Sequence, residues 1–307
     1  MRAKQRLKAV LTIRSKLLEY TRDWLNKQGF TEIQGPILLP GNAEKPNHFK
    51  VDFFDKTAYL SGGLNPYSDS FLDLFNKIYT IAPTFSSEPV KTTRHLAEYW
   101  RIEVVSKCHF EAMLEIQEQM LTNIILALVA ACSKEFTFLK LDLERLKRIK
   151  TPFPRLTYEN AIEKLEKKEI KIFWGEPLDR KREIMLTQMF NQPFFITHFP
   201  MSGETLFHKS VSHKSELTLS ADLFAPDGFG EIGGCNELLT QKKLLKERLR
   251  TIEIEPAEQK WFLDLKSNVG PQSVCVIGVE RLLQWLCNSK NICDVIAFPR
   301  VFGANYS

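Results

Sequence analysis

The sequence predicts an α+β fold in which an antiparallel β-sheet is flanked by helices. Three observations carry that expectation. An apolar stripe of helical period runs through residues 4–27. Two long alternating stretches, 78–87 and 95–106, are joined by a polar loop. Further alternating stretches at 194–199, 206–210 and 217–224 follow one another without the strand–helix–strand rhythm of a parallel sheet.

The first stripe is made by Leu7, Val10, Leu11, Leu17, Leu18, Thr21, Trp24 and Leu25, and Gly29 follows as a stop signal. Residues 30–39 read as an extended run broken by Pro36. Residues 49–60 read as two strands turning at Asp55-Lys56, and residues 65–76 as a helix. The stretches 78–87 and 95–106 form a hairpin with a long tip at 89–93. Residues 110–138 make the strongest helical segment, with Met113, Ile116, Met120, Ile124, Leu128 and Ala131 at helical spacing. Residues 139–190 are charged and weakly patterned, and read as an insertion of short helices. Charged helices at 239–252 and 257–265 precede a β-branched strand at 274–277 that runs into a helix at 279–287. No repeat and no linker divides the chain, so a single domain over 1–307 is expected.

Composition narrows the classes. The chain has 307 residues, 44% of them hydrophobic, enough for a large core. A net charge of +5 suits anionic ligands without singling out nucleic acid. The six cysteines (Cys108, Cys132, Cys235, Cys275, Cys287, Cys293) form no CxxC pair and sit near no histidine at zinc spacing, so they read as buried thiols in a reducing compartment. The N-terminus is charged and lacks the apolar core of a signal peptide. The nearest approach to a membrane span, 124–132, is too short. A cytoplasmic protein without membrane contact is expected. His198, His208 and His213 are scattered and read as structural.

Three motifs carry chemistry. In the hairpin, Glu88 ends one strand, and Arg94, His95, Glu98 and Glu103 follow the loop. A loop bearing Lys91, Arg94 and His95 above a sheet face suits a polyphosphate, because the planar guanidinium pairs bidentately with phosphate oxygens; the competing reading is a solvated hairpin tip. At 276–286 a strand runs through Gly278 into a helix whose first turn carries Arg281, a place that favours an anion. At 220–235, Asp222 and Glu231 are joined by a glycine-rich turn. Two such carboxylates suit a hard cation such as Mg2+, or are two solvated acids on a tight turn.

Together these motifs resemble those of class II aminoacyl-tRNA synthetases, asparaginyl/aspartyl branch. Phe53-Phe-Asp-Lys-Thr-Ala-Tyr-Leu60, Ile78-Tyr-Thr-Ile-Ala-Pro-Thr-Phe85, Thr93-Arg-His-Leu-Ala-Glu-Tyr-Trp100 and Asp294-Val-Ile-Ala-Phe-Pro-Arg300 carry the likeness, which extends from about residue 5 to the end. Gly35-Pro36 resembles motif 1, residues 78–105 motif 2 and residues 274–286 motif 3. The resemblance implies the class II catalytic fold, without the anticodon-binding module, and a homodimer formed near Pro36. It also implies ATP-dependent formation of an aminoacyl adenylate with release of pyrophosphate. Carried over, Glu88, Arg94, His95, Glu231, Arg281 and Arg300 would bind ATP, with Arg94, Arg281 and Glu231 the catalytic set. Asp222 and Glu231 would hold Mg2+. Ser61, Gly63, Glu98, Glu103, Phe207, Gly234 and Glu237 would bind the amino-acid-like substrate.

The chain departs from that pattern at several points. Motif 2 reads Phe85-Ser86-Ser87-Glu88 where the family has Phe-Arg-Ala-Glu, so the arginine that meets the α-phosphate and the substrate carboxylate is missing. The substrate loop reads Gly233-Gly-Cys-Asn-Glu237, setting Glu237, or Leu238 in a shifted register, where the family reads the substrate side chain with an arginine. Gly63 replaces a glutamine, Val105 a glutamate, and Val274 and Val276 stand where glycines are usual. The expected function is therefore an AMP-forming ligase passing an activated amino acid to a small acceptor, with tRNA binding weak or absent. The alternatives are a catalytically weakened regulatory paralogue and an asparaginyl-tRNA synthetase catalytic domain.

Overall fold

The N-terminal stripe folds as α1 (Arg2–Lys27), which buries Val10, Ile13, Leu17, Thr21 and Leu25. Ile13, rather than Leu11, completes the buried line, since 10, 13, 17, 21 and 25 keep one face through consecutive turns. The computed structural model describes residues 2–39, 47–64, 67–202, 207–251, 260–266 and 270–304.

After α1 come β1 (Thr31–Glu32), β2 (Leu38–Leu39), β3 (Lys50–Phe53) and β4 (Lys56–Leu60). The last three form a small sheet in the order β2-β4-β3, so the turn falls at Phe54-Asp55. The helix expected at 65–76 is shorter, α2 (Ser68–Leu72), burying only Ser68, Asp69 and Leu72; residues 65–66 lie outside the described residues. The hairpin is β5 (Lys77–Phe85) and β6 (Glu98–Ser106), antiparallel from Lys77↔Ser106 to Phe85↔Glu98.

The helical segment 110–138 is two helices, α3 (Phe110–Ala131) and α4 (Ser133–Phe138), broken at Cys132, whose backbone leaves the helical region at φ −113, ψ 28. Among the described residues α3 is long and apolar enough to pass for a bilayer span. Its buried side chains, among them Met113, Leu114, Met120, Leu121, Ile124 and Leu128, lie instead in the main core.

The segment 139–190 holds α5 (Leu143–Lys147), β7 (Arg155–Thr157), α6 (Tyr158–Glu166) and α7 (Arg180–Thr187), so it contributes a strand as well as helices. Then follow β8 (Phe194–Thr197), β9 (Ser210–Val211), β10 (Lys214–Thr218), β11 (Ser220–Ala225), β12 (Gly230–Glu237), α8 (Lys242–Thr251), α9 (Lys260–Leu265), β13 (Ser273–Gly278), α10 (Val279–Leu286) and a 3-10 turn at Ile292–Val295.

The main sheet runs β1-β5-β6-β13-β12-β11-β8-β7. Its inner pairs are antiparallel, and its edge pairs β1·β5 and β7·β8 are parallel, so the sheet is mixed. The glycine-rich stretch read as a turn is mostly strand β12. It is poor in β-branched residues, yet it hydrogen-bonds on both sides, to β11 and β13, and this pairing supplies what local propensity lacks. α1 and α3 cover one face of the sheet. On the other face a second cluster, including Leu156, Tyr158, Leu165, Phe194 and Phe224, seats α6 and α7 near one end and leaves the middle open. Four cysteines are buried, whereas Cys108 and Cys293 are half-buried.

Candidate active site

The open face carries a cavity over β6, β12 and β13, roofed by the hairpin loop and the start of α10. Strand alternation builds its floor. Tyr99 and Arg101 on β6 point into it, with Glu103 next on the same face, while Ile102 and Val104 enter the core on the other side. Val276 and Gly278 of β13 are the in-register neighbours of Glu103 and Arg101.

Arg94 and Arg281 meet here through one residue. Arg281 Nη1 pairs with Glu231 Oε2 at 2.9 Å, and Arg94 Nη2 donates to the Glu231 carbonyl. Arg94 is 7% exposed and also pairs with Glu183 Oε2 of α7 at 2.6 Å. Burial, helped by Arg281, pulls Arg94 down to about 10, still a cation at neutral pH, while burial pushes the Glu183 carboxyl up against the pull of Arg94. The Glu231 carboxylate raises Arg281. The loop is fixed from below: Thr93 O accepts from Gln284 Nε2 at 3.1 Å and from Ile292 N at 2.9 Å, so α10 and the 3-10 turn set where Arg94 begins. His95 Nδ1 lies 2.6 Å from Thr92 Oγ1. Burial and then Arg281 lower its pKa, keeping the ring neutral. Gly230, at φ +81, permits the whole cluster, because a Cβ there would overlap Arg94 and Glu183.

Glu88, Arg94, His95, Glu231 and Arg281 thus line one cavity. The other expected positions divide. Ser61 and Gly63 form the wall beyond Arg101: Ser61 Oγ donates to Gly63 O at 2.5 Å and accepts from Gly63 N at 3.0 Å, and Glu103 Oε2 accepts from Leu64 N at 3.0 Å. Gly234 and Asp222 are in-register partners set beyond the cavity lining, on the same face as Glu231 because a β-bulge opposite Leu223–Phe224 shifts the alternation by one residue.

Four positions lie elsewhere. Glu237 is 1% exposed and faces the start of α3, accepting from Phe110 N at 2.9 Å and pairing with Lys209 Nζ at 2.6 Å. Alternation forces this, since Cys235 and Glu237 share the core face while Gly234, Asn236 and Leu238 share the other. Glu98 falls on the face opposite Tyr99 and is exposed. Arg300 is exposed too; its carbonyl accepts from Ala97 N at 2.7 Å, and Phe302 rather than Arg300 lines the cavity. Phe207 packs in a satellite cluster with Leu239, Leu245, Leu249 and Leu263, away from the cavity. Of the histidines, His198 sits 2.8 Å from Thr197 Oγ1, burial lowers His208 to about 4, and His213 is an exposed turn residue.

Sequence reading missed Tyr99, Arg101, Glu183 and Glu280. Alternation from Glu103 would have found Tyr99 and Arg101. Glu280, 1% exposed, ties α10 to α1 through Arg14 at 2.6 Å and to β6 through Trp100 N at 2.8 Å. Nothing local marks Glu183, which comes from a distant helix.

The resemblance drawn from the sequence implies ATP and, with it, Mg2+. No cluster of three or more potential ligands occurs among the described residues. Mg2+ characteristically takes one or two carboxylates and completes its shell with phosphates and water, so Glu231, projecting into a cavity lined by arginines, fits as a single protein ligand shared with a triphosphate.

Comparison with known proteins gives the chain a family and an overall fold. The family model for class II tRNA synthetases (D, K and N) covers residues 1–301. Asparagine–tRNA ligase of Pelotomaculum thermopropionicum is 33% identical over 299 residues, 96% of this chain and 70% of that protein. That of Pyrococcus abyssi is 32% identical over 298 residues, 96% and 69% respectively. The crystal structure of asparaginyl-tRNA synthetase from Pyrococcus horikoshii complexed with asparaginyl-adenylate aligns at a TM-score of 0.93 and 30% identity, covering 98% of this chain and 70% of that one. The Entamoeba histolytica asparaginyl-tRNA synthetase, also in complex with asparaginyl-adenylate, aligns at 0.89 and 28% identity, covering 98% and 69%. The chain belongs to the class II tRNA synthetase family (D, K and N) and is similar, over nearly its whole length, to the asparaginyl-tRNA synthetases of that family.

Proposed function

We propose that this chain activates asparagine with ATP, forming asparaginyl adenylate, and that tRNA is the acceptor. The observation that carries the reading is the pair of guanidinium groups, Arg94 and Arg281, gathered on Glu231 in one cavity above the sheet. In the reaction a carboxylate oxygen bonds to the α-phosphorus while the bond to the bridging oxygen breaks and pyrophosphate leaves with that electron pair. The two arginines face the leaving triphosphate end, and Arg94 Nε, buried without a partner among the described residues, keeps a donor for it. The Tyr99 ring offers a flat surface to the base, with Glu88 and His95 at that end. Bound Mg2+ would neutralise phosphate charge, with Glu231 as its carboxylate.

Asn236 supports an amide-bearing substrate. Its Nδ2 is buried without a partner among the described residues, on the face shared with Gly234, where it suits a side-chain carbonyl. Transfer to a small acceptor has only the residue departures behind it, whereas the relatives are named as tRNA ligases. A homodimer is proposed through the Pro36 region, where Ile37, Leu38, Phe53 and Phe54 are exposed.

ATP–pyrophosphate exchange with each amino acid, followed by acylation of tRNA, tests the reading. Asparagine-dependent exchange supports it, and exchange with a different amino acid alone replaces the substrate. ATP binding without exchange favours the second reading, a weakened paralogue, for which Ser86 in place of a motif 2 arginine speaks.

A further inference from the structure

Arg101 differs from the other arginines of the cavity. Arg94 and Arg281 each sit on a carboxylate, at 2.6 Å and 2.9 Å. Arg101 Nη1 donates to the Gly62 carbonyl at 2.5 Å, and its ion pair with Glu103 is long at 3.9 Å. Glu103 Oε2 is already engaged by Leu64 N. The Arg101 side chain is 29% exposed and opens toward the cavity. Its in-register neighbours are Ala82 on β5 and Gly278 on β13, so neither flank is walled by a large side chain. A guanidinium has five donors, and most of these are free of any carboxylate.

The space that Arg101 occupies depends on Gly63. A Cβ there would lie 2.8 Å from Arg101 Nη1 and 2.7 Å from Glu103 Oε2, so any side chain at 63 would displace the guanidinium. Two departures of this sequence, the small residue at 63 and the neutral Ser86, therefore bear on one residue. Arg101 stands where a longer side chain at 63 would be, and it brings a cation to the cavity that Ser86 also lines.

We infer that Arg101 supplies the positive charge at the reacting centre, binding the substrate carboxylate and then the α-phosphate to which it becomes joined; the inference rests on the activation reading above. The carboxylate oxygen bonds to the α-phosphorus and pyrophosphate departs. Arg101 exchanges no proton in the step, and its fixed charge stabilises the anionic centre.

The test compares the full chain with Arg101→Met, Arg101→Lys and the double variant Arg101→Met/Ser86→Arg. The readouts are asparagine-dependent exchange, the melting temperature, and the ratio of affinities for AMP and adenosine. Arg101→Met should lower kcat/KM for exchange at least 100-fold and cut the AMP-over-adenosine preference about tenfold. The double variant should recover at least tenfold of the lost exchange, because it restores a guanidinium from the adjacent strand. Arg101→Lys should keep the melting temperature while recovering little exchange, since a point charge lacks the fork. Exchange within threefold of the parent in Arg101→Met overturns the inference and leaves the activation reading standing. So does a loss that tracks a fall in melting temperature and is not repaired by Ser86→Arg. If the parent shows no exchange with any amino acid, the activation reading fails. The AMP-over-adenosine ratio then decides for Arg101: a tenfold drop keeps it as the phosphate cation, and no change removes it.

Discussion

Arg281 and Glu231 pair at 2.9 Å, and Arg94 closes on the same glutamate through its main chain, so one residue of a central strand fixes the spacing of two cations. The strand is rigid because it is hydrogen-bonded on both sides. Two guanidinium groups repel one another, and the carboxylates of Glu231 and Glu183 offset that repulsion.

Arg281→Ala should lower exchange by about 100-fold or more, the scale of removing one preorganised charge from a reacting phosphate. The Michaelis constant for ATP should rise with it. Steady-state exchange as a function of ATP checks both. An unchanged constant would place the triphosphate elsewhere.

Glu183→Gln should leave Arg94 buried without a charge partner and destabilise the fold by about 3 kcal/mol. Gly230→Ala, which forces a Cβ into the same cluster, should act in the same direction. Chemical denaturation of the two variants measures this. If both unfold at the parent's midpoint, the cluster is not under the constraint its geometry implies.

Glu237→Gln should cost about 1–3 kcal/mol, because the side chain accepts from Phe110 N and pairs with Lys209 away from the cavity. The identity of the activated amino acid should not change. A new substrate preference in this variant, read by exchange across the amino acids, would bring Glu237 back to the pocket. Asn236→Leu is the contrasting case: it should raise the Michaelis constant for asparagine about tenfold with ATP binding intact.

His208 titrates at about 4 in the folded chain against an ordinary value of 6.5, lowered by burial and by Arg248. The folded state therefore resists protonation, and the unfolded state does not. Stability contributed by the neutral ring is present above pH 6.5 and is lost as pH falls toward 4, by roughly 3 kcal/mol at most. Thermal melts across that window should be flatter in His208→Asn than in the parent. Parallel curves would mean that the ring is already solvated.

How much was legible in the sequence varies by element. The long helix α1, the hairpin β5–β6 and the strand-to-helix passage β13–α10 were readable because each repeats a local pattern over enough residues to outweigh exceptions. β12 was not, because its glycines signal a turn locally and become a strand only when two neighbours pair with it. β7 is three residues long and exists only as the edge partner of β8. The placement of Glu237 failed for a related reason: with the register of β12 unknown, no rule decides which of two adjacent residues faces the cavity.

By itself the sequence determined the fold family and singled out Arg94 and Arg281, the two arginines that meet on Glu231, since these live in contiguous motifs. Tertiary structure alone decided which charges meet. Glu183 reaches Arg94 from a helix 89 residues away in sequence, and Arg101 gains its meaning from Gly62 and Gly63 across a cavity wall. The physical reason is range. Periodicity acts over a few residues of chain, whereas ion pairing and steric exclusion act over a few ångströms of space, and only folding converts one into the other.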